Sequence, residues 1–191
     1  MGKGRLEAFT DGVIAIVITI MVLEIKVPQG ADFAAFAAGL PILLTYALSF
    51  VNVGIFWNNH HHMLHTATRI DGRVLWANLF LLFWMSLVPF VIRWIDEAGF
   101  QPLPVSAYGL VLLMSAVAYI VLQSAIVAVS GNESVLAVAI GRDVKGKTSI
   151  ILYALGMALA FFHPAIAIAI YVAVALLWLV PDRRIEALER Q

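Results

Sequence analysis

Cysteine is absent from the 191 residues, and charge is scarce and clustered. Without cysteine the chain has no structural disulfide, no thiolate metal ligand and no cysteine nucleophile. Charged residues make up 13 % of the chain and hydrophobic ones 62 %, whereas a soluble domain holds about a quarter charged and about half apolar. No Asp, Glu, Lys or Arg occurs between Asp32 and Arg69, between Ala98 and Asn132, or between Thr148 and Pro181. These gaps exclude a soluble globular enzyme and a disordered chain. They also exclude a nucleic-acid binder, which needs a basic surface, and the formal net charge of zero implies no long-range steering. A mean hydropathy of +0.94 places the chain in the bilayer.

A spanning helix needs about 20 mostly apolar residues. The runs predict an all-α fold, a bundle of six transmembrane helices over about 7–27, 36–61, 73–94, 104–130, 148–162 and 165–181, in one domain covering 1–191. His163-Pro164 marks the turn between the last two. Basic residues set the orientation, because cytoplasmic loops collect Lys and Arg. Two crossings after Thr148 put Lys3, Arg5, Arg69, Arg73, Arg142, Lys145, Lys147, Arg183, Arg184 and Arg190 on one side. Both termini are then cytoplasmic, and the expected location is the plasma membrane, with the lipid bilayer as a partner. The N-terminus lacks a small-residue cleavage pattern and Asp11 interrupts its apolar run, so it does not read as a signal peptide.

The first span is unusual. Gly12 to Leu23 gives only 12 charge-free residues, about 18 Å of helix against a hydrocarbon core of about 30 Å. A lipid-exposed helix would bury Asp11 or Glu24 at a cost of a few kcal/mol, so this helix belongs at the centre of an assembly, walled by protein or water. At 100° per residue Gly12, Ile16, Thr19, Ile20, Leu23 and Val27 fall on one stripe, with Glu24 at its margin and Asp11 on the opposite flank. Spacing alone allows the stripe to be ordinary helix packing.

Arg5-x-x-x-Phe9-Thr10-Asp11, then Ile14-Ala15-Ile16-x-Ile18-Thr19 and Leu23-Glu24-Ile25-Lys26-Val27-Pro28, resembles the opening of the transmembrane protein 175 family of potassium channels. Ser49-Phe50, Trp57-Asn58-Asn59-His60-His61-His62, Asp71-Gly72-Arg73 and Phe83-Trp84-x-Ser86-Leu87-x-Pro89-Phe90 carry the resemblance further. Thr10 stands where the motif usually has Ser and keeps the hydroxyl. The resemblance implies a homotetramer with helix 1 central and pore-lining, Ile16 as the constriction, Thr19 as a hydroxyl layer, and Ile20 and Leu23 as further apolar rings. It implies potassium as the permeant ion, with no cofactor and no enzymatic activity. Arg5, Phe9, Thr10 and Asp11 become a structural motif tying helix 1 to its neighbours, with His60 or His61, Asn78 and Trp84 as partners. Glu24 either concentrates cations at the outer mouth or pairs with Lys26 or another chain.

A ring of four isoleucines closes by dewetting, and the chain lacks the Thr-Val-Gly-Tyr-Gly loop of ordinary potassium channels. The His60-His61-His62 run with His65 does not read as a metal site, because only His61 and His65 share a helical face. Asn52, Asn58, Asn59, Asn78 and Gln123 are read as hydrogen bonders between helices. The competing function is a secondary transporter or proton-coupled cation carrier working through intramembrane Asp and His.

Overall fold

A computed structural model describes residues 2–131, 134–140 and 143–179. Arg142, Arg183, Arg184 and Arg190, four of the residues behind the charge bias, lie outside them. The described residues form helices and connections without a strand: α1 Lys3–Leu23, α2 Phe33–His65, α3 Gly72–Ser86, α4 Val88–Ala98, α5 Pro102–Ser130, α6 Val135–Ile140, α7 Val144–Ala160 and α8 Pro164–Leu179. Four spans are long and apolar enough to cross a bilayer, namely α1, α2, α3 with α4 taken together, and α5. α7 and α8 have 17 and 16 residues.

Local chemistry explains the element ends and where they depart from the hydropathy runs. α1 stops at Leu23 rather than Val27, since the residue before Pro28 disfavours helical angles and the chain unwinds ahead of it. Val27 therefore leaves the stripe. α2 has 33 residues, about 50 Å of helix, longer than the hydrocarbon core of about 30 Å is thick. Its start is capped by Asp32, whose carboxylate accepts the Ala35 amide at 2.8 Å. Asp71 caps α3 through the amides of Arg73 and Val74 at 2.9 and 3.1 Å, which gives the Asp71-Gly72-Arg73 triplet a folding role.

The expected third helix is in fact two. α3 and α4 meet at Leu87, which caps the end of one and the start of the other. Pro89 follows in the first turn of α4 and has no amide hydrogen to continue the ladder. The short α6, which lies in the connection after α5, is an addition to the sequence reading. Pro164 starts α8 after the Phe161–His163 turn.

α5 is the hub, packed against α3, α4, α7 and α8, while α1 lies across α2, α3 and α4. Tyr171 of α8 fills the junction of α5 and α7. Its ring meets Tyr108 edge-on at 5.7 Å and Tyr153 at 6.1 Å between centroids. Gly109 and Gly156 let it approach, because a Cβ on either would land on its ring or phenol. Tyr108 continues the chain of contacts into α2 through Ser49 at 2.9 Å. This half of the molecule forms a tight scaffold, and α1 is presented at its side.

Candidate functional site

α1 has two unlike faces. Leu6, Thr10, Ile14, Val17 and Met21 recur at helical spacing and are buried against the bundle. The other face is open in the single chain: Ile16 is 59 % exposed, Ile20 40 % and Leu23 76 %, with Thr19 and Gly12 among them. Phe9, seven residues before Ile16, is exposed on the same side. The stripe drawn from the sequence is thus the unpacked face. Thr19 donates its hydroxyl hydrogen to the Ala15 carbonyl at 2.8 Å, so its oxygen lone pairs stay available as acceptors.

The Lys3 half of α1 is tied to α2 and α3. Lys3 Nζ donates to the last carbonyl of α2, that of His65, at 2.7 Å. Trp57 donates its indole N–H to Asp11 Oδ1 at 2.8 Å. A buried chain runs from Asn78, whose amide nitrogen donates to Thr10 Oγ1 at 2.8 Å while its oxygen lies 2.7 Å from His60 Nε2. All three residues of that chain are almost fully buried, where an unmet hydrogen bond is costly.

The motif residues therefore divide. Thr10, Asn78 and His60 are brought together, but Asp11 is served by Trp57, not by a histidine. His61 instead stacks on Trp57 at 6.4 Å between centroids. Trp84 stands apart, its indole nitrogen buried without an acceptor between Phe80 and Phe83. Arg5 is exposed on the outside of the first turns. Trp57 enters the sequence reading only as part of a motif and is not named there as a partner of Asp11. Its place one turn before His61 was the available clue. Asn59 donates to Ile55 of its own helix, whereas Asn52 donates to Leu48 of its own helix and its side chain also reaches the Tyr108 hydroxyl of α5 beside Ser49.

At the opposite end Glu24 does form an ion pair, but with Arg93 of α4 at 2.9 Å and not with Lys26. Arg93 also holds Glu97 at 3.1 Å, and Lys26 lies 3.6 Å from Asp96 and 3.9 Å from Glu97. His61 and His65 lie 6.5 Å apart by ring centroid; among the described residues no group of three or more histidines and acids converges on a metal position.

The sequence pattern of the family described as endosomal/lysosomal potassium channel TMEM175 matches residues 5–89, the stretch that builds α1 and its partners. A potassium channel of Chryseobacterium sp. is 53 % identical over 186 residues, covering 97 % of each chain. One from Streptomyces collinus is 35 % identical over 125 residues, or 61 % of each. The human endosomal/lysosomal proton channel TMEM175 is 41 % identical over 87 residues, 38 % of this chain and 17 % of that protein. Among solved structures, a lysosomal potassium-selective channel TMEM175 homolog from Chamaesiphon minutus superposes with a TM-score of 0.73 at 27 % identity, covering 94 % of this chain and 97 % of that one. Half-identity along almost the whole length of a relative, with the apolar helices above, makes this chain a multi-pass membrane protein of the TMEM175 family, whose members are channels and not enzymes.

Proposed function

We propose that four copies of this chain form a potassium-favouring cation channel of the cell membrane, with α1 of each around the axis. The single observation behind this reading is the open stripe Ile16, Thr19, Ile20 and Leu23 on a helix whose opposite side is buried at Leu6, Thr10, Ile14, Val17 and Met21. A surface of that kind needs a partner or a lumen, and the relatives' description as potassium channels supplies the reason to choose a lumen.

In this reading six crossings place both termini in the cytoplasm and Glu24 at the outer mouth. Four Ile16 side chains form a ring where an ion loses water and gains no replacement, so the ring closes by dewetting. Four Thr19 oxygens offer partial coordination once the ring widens, which gives a modest preference for potassium. No cofactor takes part, and the potassium ion is cargo.

Liposomes loaded with potassium and bearing the purified protein test the reading. Flux must exceed carrier turnover, and Ile16→Asn, which wets the ring, must raise it several-fold. Unchanged flux in Ile16→Asn overturns the pore assignment. The proton-channel name of the human relative favours a second reading, proton-coupled transport through Asp11 and His60. In the structure these two are held by different partners. A pH gradient applied with and without potassium separates the readings, because only a coupled carrier needs both ions and moves protons and cations in fixed ratio.

A further inference from the structure

The third span is broken beside α1, and its two pieces hold α1 at opposite ends. α3 grips the Lys3 half through Asn78 and Thr10, and α4 grips the other through Arg93 and Glu24. Between these ties, Gly12 to Leu23 make no side-chain hydrogen bond or ion pair to another helix among the described residues; Thr19 bonds only to its own helix. The gate position Ile16 falls in that unbonded stretch.

α4 is an 11-residue rod with a joint at each end. At Leu87 the ladder is interrupted, Ser86 turns its hydroxyl back to the Phe83 carbonyl at 2.7 Å, and Pro89 offers no amide. At the far end Gly99 and Phe100 both take left-handed angles, with φ of 71° and 59°, costly for a phenylalanine. A surface groove of about 500 Å³ opens where α1 meets the break, lined by Val13, Ile16, Ile20, Ser86, Pro89 and Phe90 among others.

Arg93 is the link across this groove. Glu97, one turn further along α4, takes its Nε at 3.1 Å and fixes the guanidinium so that Nη1 points at Glu24 Oε2, 2.9 Å away. A second cross-tie of reversed polarity runs from Lys26 to Asp96 at 3.6 Å. A fork held at two points transmits displacement better than a single flexible charge.

We propose that Arg93 is the positioning residue of the pore helix. Its ion pair makes α4 and the Glu24 end of α1 one body that swings at the Leu87–Pro89 break, and this swing sets the width of the Ile16 ring. The inference rests on the pore reading above.

Single-channel recording in planar bilayers tests it. Glu24→Gln and Arg93→Gln each cut the same tie, so both must shift open probability in the same direction, by about fivefold or more, with little change in unitary conductance. The double variant Glu24→Arg, Arg93→Glu rebuilds the pair with exchanged signs and must return open probability toward the parent. Pro89→Ala restores an amide to the ladder and must slow opening and closing. If Glu24 acts only as a charge at the mouth, the two neutralisations remove opposite charges. They then move cation conductance in opposite directions and leave open probability alone, which overturns the proposal. Parental kinetics in Pro89→Ala overturn the hinge. Ile16→Asn run alongside separates the failures. A raised leak with unmoved Glu24→Gln and Arg93→Gln sinks the coupling and spares the pore, while no leak sinks the pore itself.

Discussion

Thr19 and Asn78 show how differently two polar side chains act in one bundle. Thr19 satisfies its hydrogen locally and faces outward, so Thr19→Val costs the fold little, within about 0.5 kcal/mol as for exposed sites generally. It should nevertheless lower the potassium-to-sodium permeability ratio measured from bi-ionic reversal potentials. Asn78 is the opposite case. Asn78→Leu strands the Thr10 hydroxyl and the His60 ring nitrogen in the core, at about 1–3 kcal/mol for each group left unsatisfied. The thermal unfolding midpoint in detergent should fall clearly, and an unchanged midpoint would show that the chain is not structural. The residue types of this network were legible in the sequence. Its wiring was not, because Asp11 meets Trp57 through the rotation of α2 about its own axis, which no one-dimensional spacing sets.

Among the elements, the apolar runs located the spans, but their ends follow caps and prolines. Asp32, Asp71 and Pro28 decide where α2 and α3 begin and α1 stops. The break in the third span stayed hidden because Ser86-Leu87-Val88-Pro89 is as apolar as its flanks, and hydropathy does not see a missing amide. The wedge at Tyr171 is a second feature of this kind. Gly156→Ala places a methyl against that ring, and overpacking of this sort costs about 1–3 kcal/mol. Its unfolding midpoint should drop, and Tyr171→Leu in the same chain should recover part of the loss. Additive losses in the double variant would show that the two residues do not share one contact.

For the whole molecule, an apolar stripe left open on a helix whose two ends are tied to the bundle calls for other copies of the chain around it. Native mass spectrometry of the protein released from detergent should give four chains. A monomer under conditions that support flux would refute the assembly. In the proposed tetramer the scaffold of α5, α7 and α8 stands behind α1 and need not move for the proposed gate at Ile16 to open. The Gly12 to Leu23 stretch makes no side-chain hydrogen bond or ion pair to another helix among the described residues, so it is held to the bundle by apolar contacts through Ile14, Val17 and Met21.

Composition and charge clustering alone determined that the chain lives in a bilayer as helices, because lipid leaves backbone polar groups no other partner. The 100° stripe and the motif around Asp11 singled out α1 from the sequence as well, since a helix short of apolar length between two charges cannot face lipid. The tertiary structure decided which face of α1 is packed, that Asp11 belongs to Trp57, and that Glu24 belongs to Arg93, 69 residues away. Those pairings depend on the azimuth and depth of one helix against another. Such quantities come from the packing of many side chains at once and are not written at any single position.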